Sequence, residues 1–354
     1  MTTSYVNDYL GRGYSPVPVP SGEKAPDFKG WQNYKTDPAD LSAFAGTNVG
    51  LLLGAPSGGL VDVDLDAPEA VAAAGLLPAT GMVSGRAGAP RSHHWYQCPD
   101  APKKANTSFD DPTAPADDPG RRRLVELRST GGQTVAPPSV HPTGEEVVWH
   151  DFGDPAGVAA AELAGAVARV GAAALLARHW PGRGGRQDAF LALSGGLARA
   201  GWAVDEAESF VLALAEATGD DEARSRVDTV ARTFEKVKSG DQATGWKTLA
   251  GLAGGAVVDR AREWLGCLDP KATMGAGPVP GSPRPPAGPR YRPAAPYVRF
   301  PAHALPAPWG DYCTEAGRLL KCDDAALVAL PQLRVCSKRM QVVAYRDGTQ
   351  ALPE

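Results

Sequence analysis

Cysteine is scarce in this chain. The five residues, Cys98, Cys267, Cys313, Cys322 and Cys336, are odd in number, widely spaced and free of any Cys-x-x-Cys pair. That pattern excludes a zinc ribbon and a disulfide scaffold, and it suits reduced thiols in a cytoplasm. No run approaches the roughly 18 apolar residues of a membrane span. The N-terminus lacks a charged segment followed by an apolar one, so neither a membrane partner nor a secretory leader is expected. A surplus of positive charge is missing too: 36 Lys and Arg stand against 40 Asp and Glu, a net charge of −4. A nucleic-acid surface would have to arise from local clustering of cations. There is no Gly-x-x-x-x-Gly-Lys-Ser/Thr loop. GDQATGWKT (240–248) misses it by an inserted Trp246 and sits between helical patterns rather than after a strand. No Ser-His-Asp or Cys-His arrangement offers a side-chain nucleophile.

What is present divides into regions. Residues 1–152 mix short apolar runs (48–53, 60–65, 93–97, 123–127 and 133–136) with Gly, Pro and Asp loops. Helical patterns cover Thr3 to Gly11 and Ala67 to Leu77, and together these predict an α+β domain with a mixed or antiparallel sheet. The polar stretch from Asp100 to Arg122 reads as a surface loop or insertion. Residues 155–268 are rich in Ala, Leu and Val at helical spacing, with stretches at 156–180, 186–201, 204–218, 222–239 and 246–266, and predict an all-α bundle. Residues 269–308 are a Pro/Gly-rich linker of polyproline type. Residues 309–354 hold too few apolar side chains for an independent domain.

The segment GGLVDVDLD (58–66) carries the chemistry. Side chains alternate along a strand, so Asp62, Asp64 and Asp66 share one face while Val61, Val63 and Leu65 share the other. Adjacent carboxylates repel and Asp is a poor strand former. A divalent cation, which seeks converging oxygens, resolves that conflict. An acidic edge strand without a ligand is the plain alternative. Two further segments supply partners. SGRAGAPRSHHWYQ (84–97) places Arg86, Arg91, Ser92, His93 and His94 before an aromatic strand, a set suited to an anionic, metal-chelated ligand such as a nucleoside triphosphate. RRRLVELRSTGGQTVAPPSVHPTG (121–144) offers Glu126 and Arg128 on one strand face, then Ser139 and His141 on a proline-stiffened loop. Carboxylates and positive donors from three separated segments are what two-metal phosphoryl or nucleotidyl transfer needs.

These segments resemble the motifs of the bifunctional primase-polymerase (Prim-Pol) domain, a branch of the archaeo-eukaryotic primase superfamily found in phages, plasmids and bacterial mobile elements. The family pattern runs Gly-Leu-Val-x-hydrophobic-Asp-x-Asp, a Ser/x/His motif heading an aromatic strand, an acidic strand and a Pro-Pro-Ser-x-His loop. Here these are GLVDVDLD (59–66), PRSHHWY (90–96), LVELR (124–128) and APPSVHPTG (136–144), preceded by Lys24, Pro26 and Trp31 in an opening segment of similar kind. The resemblance implies a catalytic domain over 1–152. Its catalytic acids would be Asp64, Asp66 and Glu126, with Asp62 and Asp64 as the alternative pair on the strand, so the metal ligands come from Asp62, Asp64, Asp66 and Glu126. His93 would contact the incoming triphosphate, joined by Arg91, Ser92, Arg128, Ser139 and His141. His94 is the lesser candidate, because an aromatic often stands there.

The resemblance further implies a two-metal site for Mg²⁺ or Mn²⁺, nucleoside triphosphates and single-stranded DNA template as substrates, and primer synthesis in DNA replication. Residues 182–202 and 222–240 are similar to the helical region that trails such domains. Arg183, Arg186, Arg224, Arg226 and Lys236 are thereby candidates for phosphate contact, against the alternative of a structural bundle with solvated cations. Residues 300–333 resemble the entry to a helicase-like region, implying a primase without its motor, either truncated or working with a separate replicative helicase. Two rival readings use the same residues: a metal-dependent nuclease or phosphohydrolase, and a non-catalytic DNA-binding replication protein.

Overall fold

The computed structural model describes residues 2–101 and 106–268, together with two strands further along the chain. Helix α1 (Thr2–Gly11) leads into β1 (Ser15–Val19), β2 (Asn48–Leu52) and β3 (Leu60–Asp64). A short helix α2 (Pro68–Ala72) precedes β4 (Met82–Arg86), β5 (Ala89–Gln97) and β6 (Thr107–Asp110). After α3 (Pro119–Arg122) come β7 (Arg123–Arg128), β8 (Gln133–Ala136), β9 (Ser139–Val140), β10 (Glu146–Phe152) and β11 (Ala156–Gly157). Six helices follow: α4 (Ala160–Arg178), α5 (Arg186–Arg199), α6 (Val204–Ala217), α7 (Ala223–Ser239), α8 (Trp246–Ala253) and α9 (Gly255–Trp264). The architecture is the expected α+β, with antiparallel sheets first and helices after. By itself, the pair β12 (Val343–Arg346) and β13 (Thr349–Pro353) is an antiparallel ladder. The linker expected at 269–308 lies outside the described residues, as does the tail 309–354 apart from these two strands.

A large sheet runs in the order β6-β7-β3-β5-β4-β10-β9, with β11 pairing in parallel with β5. A smaller sheet runs β1-β2-β8. Strand β3 is therefore central, between β7 and β5, and all five of its residues are buried. The edge-strand reading of the acidic segment does not hold.

Alternation along β3 divides two cores. Val61, Val63 and Leu65 pack with Leu124, Leu127, Val167 and Val170 in a cluster continuous with the helices. Leu60 joins Tyr9, Leu51, Met82 and Trp95 in a second cluster. Helix α4 lies against β7, α6 and α9. At 19 residues and a mean hydropathy of 1.5 it has the length and apolarity of a membrane span, an exception to the reading that no such run exists. More than half of it is buried in the protein, where Leu163, Val167, Val170 and Leu175 serve the core. Its Gly171 lets the ring of Phe109 approach so closely that a Cβ there would lie 3.0 Å from it.

Several elements depart from the sequence expectation. The stretch from Ala67 to Leu77 divides into α2 and a single 3₁₀ turn, Ala74–Leu76, which ends where Pro78 holds Leu77 in extended backbone. The helical pattern 246–266 breaks into α8 and α9 at Gly254, whose φ of 93° only glycine adopts readily. Ala156–Gly157 continues the sheet as β11 rather than starting a helix. The supposed loop 100–122 contains β6, held to β7 by backbone pairing and to α9 by Phe109, whose ring meets Trp264 edge-on at 5.2 Å.

Candidate active site

Register places the acids. Asp64 stands opposite Glu126 on β7 and His93 on β5, making a row across three strands. Asp62 stands opposite Arg128 and Trp95 in the next row. Asp66 lies two residues beyond the end of β3. His93 and His94 point to opposite faces by strand alternation, and His93 is the one beside the acids. His94 pairs with Val63 and Val83, and burial, helped by Arg91, pushes its pKa down to about 4, so its ring stays neutral.

The three aspartates have different surroundings. Asp62 is fully buried: Thr134 Oγ1 donates to it at 2.7 Å, His93 Nδ1 lies 3.0 and 3.3 Å from its two oxygens, and Arg128 is 3.9 Å away. Burial opposes its charge, but His93, Arg128 and Thr134 hold its carboxyl below the usual range. Asp64 is bridged by Arg128 at 2.5 Å. Glu126 accepts from Arg128 Nε at 2.7 Å, Arg123 at 3.0 Å and Ser108 Oγ at 3.3 Å. Asp66 keeps an exposed surface, yet the cleft walls crowd its carboxyl. That burial, then the charges of Asp64 and Glu126, push its pKa up to about 7, against the pull of Arg128 and Arg123.

Cations balance this cluster. Burial disfavours the charge on His93, but Asp64 and Asp62 outweigh it and raise its pKa to about 9. Arg128 is held even more firmly charged by Asp64, Asp62 and Glu126, again against burial. Asp64, Asp66, Ser92, His93 and Arg128 line one cleft with Lys24, Arg86, Gln133 and His141. His141 Nδ1 lies 2.8 Å from Thr143 Oγ1 and 3.2 Å from the Thr143 amide, which fixes the ring at the rim. Burial, Lys24 and Arg86 all push its pKa down. Glu145 ties this rim together, accepting from Arg86 at 2.5 Å and from Thr143 Oγ1 at 2.8 Å.

Four expected site residues sit elsewhere or act otherwise. The side chain of Ser139 is used inside the fold: its Oγ donates to the Ala136 carbonyl at 2.6 Å and accepts from the Val49 amide at 2.9 Å, because a buried hydroxyl must be satisfied. Arg91, in left-handed backbone with φ 56°, pairs with Asp151 at 2.8 Å and does not line the cleft. Asp62 has its oxygens engaged by protein donors and does not line the cleft, whereas Asp64 and Asp66 do; Glu126 stands beside Asp64, its oxygens held by Arg128, Arg123 and Ser108. Arg226 is buried, bonded to Asp220 at 3.1 Å, to Glu222 at 2.6 Å and to Gln187. Its spacing of four and eight residues from the buried Val230 and Phe234 is a sequence signal for an inward position. The other bundle cations differ: Arg224 and Lys236 are exposed, Arg183 is exposed with Asp221 at 3.8 Å, and Arg186 is half-buried. Sequence reasoning passed over Thr134, Arg123 and Gln133, whose site roles depend on register between distant strands.

The donor set suits a hard divalent cation: Asp64, Asp66 and Glu126 offer carboxylate oxygens, and repulsion from Asp64 and Glu126 adds to burial in raising the pKa of Asp66. As the side chains stand, no three His, Cys, Asp or Glu groups among the described residues converge on one ion position. Arg128 sits between the carboxylates instead and would have to yield as a cation enters.

Comparison with curated proteins gives no match. The family model for the bifunctional DNA primase/polymerase N-terminal domain, Prim-Pol, matches residues 6–163, a span that begins in α1, contains both sheets and ends in the first turn of α4. It stops short of the tail, and nothing supports a helicase-like character there. Residues 6–163, a little under half of the chain, form a Prim-Pol domain of the bifunctional DNA primase/polymerase type.

Proposed function

We propose that this protein is a template-directed nucleotidyltransferase that uses nucleoside triphosphates and single-stranded DNA to make or extend primers during replication of a phage, plasmid or other mobile element. One observation carries the reading: a single cleft joins Asp64 and Asp66, with Glu126 beside them, to Lys24, Arg86, His93 and Arg128. Accessible acids next to a group of fixed cations suit a ligand that is both polyanionic and metal-chelated.

Asp64, Asp66 and Glu126 are the residues that would hold Mg²⁺ or Mn²⁺. Divalent cations held there would supply acidity to a primer 3′-hydroxyl and charge neutralisation for the departing pyrophosphate. The chain's own residues do the rest. His93, charged at neutral pH, and Arg86 bind phosphate oxygens and orient the triphosphate. Lys24, exposed at the rim, adds a mobile positive charge. His141, whose pKa is pushed down by burial, Lys24 and Arg86, offers a neutral imidazole to the same ligand. Arg128 holds the carboxylates apart in the resting site and is freed toward the nucleotide when they take up another partner.

The test supplies labelled nucleoside triphosphates, Mg²⁺ or Mn²⁺ and single-stranded DNA, with and without a primer, to the protein and to Asp64→Ala. Products that depend on triphosphates and disappear in the variant support the proposal. Primer-free products identify a primase, and primer-dependent ones a polymerase. DNA shortened without triphosphates would move the same acids to a nuclease and end this reading.

A further inference from the structure

Three aspartates share one face of the acidic segment, and the cleft uses two of them. Asp62 is the third: fully buried, two residues before Asp64, with neither oxygen free. Its partners come from three other strands. Thr134 of β8 donates to it at 2.7 Å, His93 of β5 faces it with Nδ1 at 3.0 and 3.3 Å, and Arg128 of β7 approaches within 3.9 Å. A buried carboxylate on a central strand costs stability unless it is paired, so its presence calls for a task.

We propose that Asp62 is a positioning residue for His93 and not a metal ligand. A carboxylate accepts and cannot donate, so the Nδ1 that faces Asp62 carries a proton. The other ring nitrogen, Nε2, is then presented away from Asp62, and the ring is fixed in rotation by contact with both carboxylate oxygens. Asp64, the only other acid beside that nitrogen among the described residues, is 3.6 Å from it, beyond hydrogen-bond length. Thr134 anchors Asp62 from the smaller sheet, so the chain Thr134–Asp62–His93 ties the ring to both sheets. This rests on the reading that His93 meets the triphosphate, and it assigns the extra acid of the segment a role distinct from that of Asp64 and Asp66.

The experiment uses the full chain with Asp62→Asn, which preserves volume, and Thr134→Val, which removes only the anchoring hydroxyl. Three readouts are taken. Nitrogen-15 NMR of the imidazoles, with His93→Gln identifying the resonance, reports the protonation of the two His93 ring nitrogens. Mn²⁺ titration followed by electron paramagnetic resonance reports the metal site, with Asp64→Asn for comparison. Equilibrium binding of a nucleoside triphosphate to Asp62→Asn, His93→Gln and the double variant reports coupling.

The expected results are an altered His93 resonance in Asp62→Asn, Mn²⁺ affinity kept in that variant and lost in Asp64→Asn, and a nucleotide Kd raised about 10-fold, the low end of what is lost when the partner orienting a metal-binding histidine is removed. Asp62→Asn should then add no further loss in the His93→Gln background, because it acts through the ring. Thr134→Val should move the same resonance to a lesser extent. Loss of Mn²⁺ affinity in Asp62→Asn equal to that in Asp64→Asn would make Asp62 a ligand and overturn the proposal. So would an unchanged His93 resonance, or equal loss of nucleotide affinity in both backgrounds. If the wild-type protein neither binds nucleotide nor extends primers while the His93 resonance still responds to Asp62→Asn, positioning stands and the nucleotidyl-transfer reading fails alone.

Discussion

Arg128 does the work of a cation in the resting site, and removing it should expose what the acids cost the fold. In Arg128→Gln, three carboxylates lose their common partner: Asp64 at 2.5 Å, Glu126 at 2.7 Å and Asp62 at 3.9 Å. Breaking a buried ion pair by deleting one partner costs about 3–5 kcal/mol, because the remaining charge is left uncompensated. Asp62 keeps His93 and Thr134, and Glu126 keeps Arg123, so the lower end applies. A loss of about 3 kcal/mol lowers Tm by roughly 6–12 °C at the two to four degrees per kcal/mol usual for a unit of this size. Divalent cation should reverse much of it, since a ligand at about 100 times its Kd contributes roughly 2.7 kcal/mol. It should also bind the variant more tightly than wild type, no longer having to displace a guanidinium. Thermal unfolding in EDTA and across a Mn²⁺ titration measures both effects. A Tm in EDTA within about 2 °C of wild type, well inside the roughly 6 °C floor, would refute the reasoning. So would a Mn²⁺ stabilisation equal in the two proteins.

Arg226→Ala should destabilise the protein by about 3–5 kcal/mol, since it strands the fully buried carboxylate of Asp220, while Arg224→Ala leaves Tm unchanged. The folded Arg226 variant should bind single-stranded DNA with an unaltered salt slope, measured by fluorescence anisotropy; a slope reduced by about one would mean a phosphate contact. Asp66 is protonated below about 7 in the metal-free protein, and a cation needs its carboxylate, so Mn²⁺ affinity should climb as pH rises to about 7 and level off above. Its folded pKa lies above the unfolded value of 3.8, so between those limits the metal-free fold holds the extra proton and loses stability as pH rises. Asp66→Asn should flatten both trends in calorimetric titrations. Gly59→Ala should cost at least about 1 kcal/mol in denaturant unfolding, because φ is 98° there and a Cβ would overlap the Cys98 carbonyl.

The local pattern of residues was enough to determine a good deal about this protein. Alternation over two residues separates Val61 and Val63 from Asp62 and Asp64, and helical spacing marks α4 to α7 nearly to their ends. Such periodicities are written within a few neighbouring residues, so they survive without knowledge of the fold. Tertiary structure decided which side chains meet. Asp62, Asp64 and Asp66 look alike as a sequence, and only the arrival of Thr134, 72 residues away, and His93, 31 residues away, seals the first while the end of β3 leaves the last at the cleft. Arg226 and Arg224 are separated in the same way, one turned onto Asp220 and the other to solvent. Ser139 and Arg91, plausible as ligands of phosphate, are claimed by Val49 and Asp151. A charged or hydroxyl side chain takes its role from the partner that satisfies it, and that partner is set by strand register and helix packing across the whole domain rather than by its neighbours along the chain.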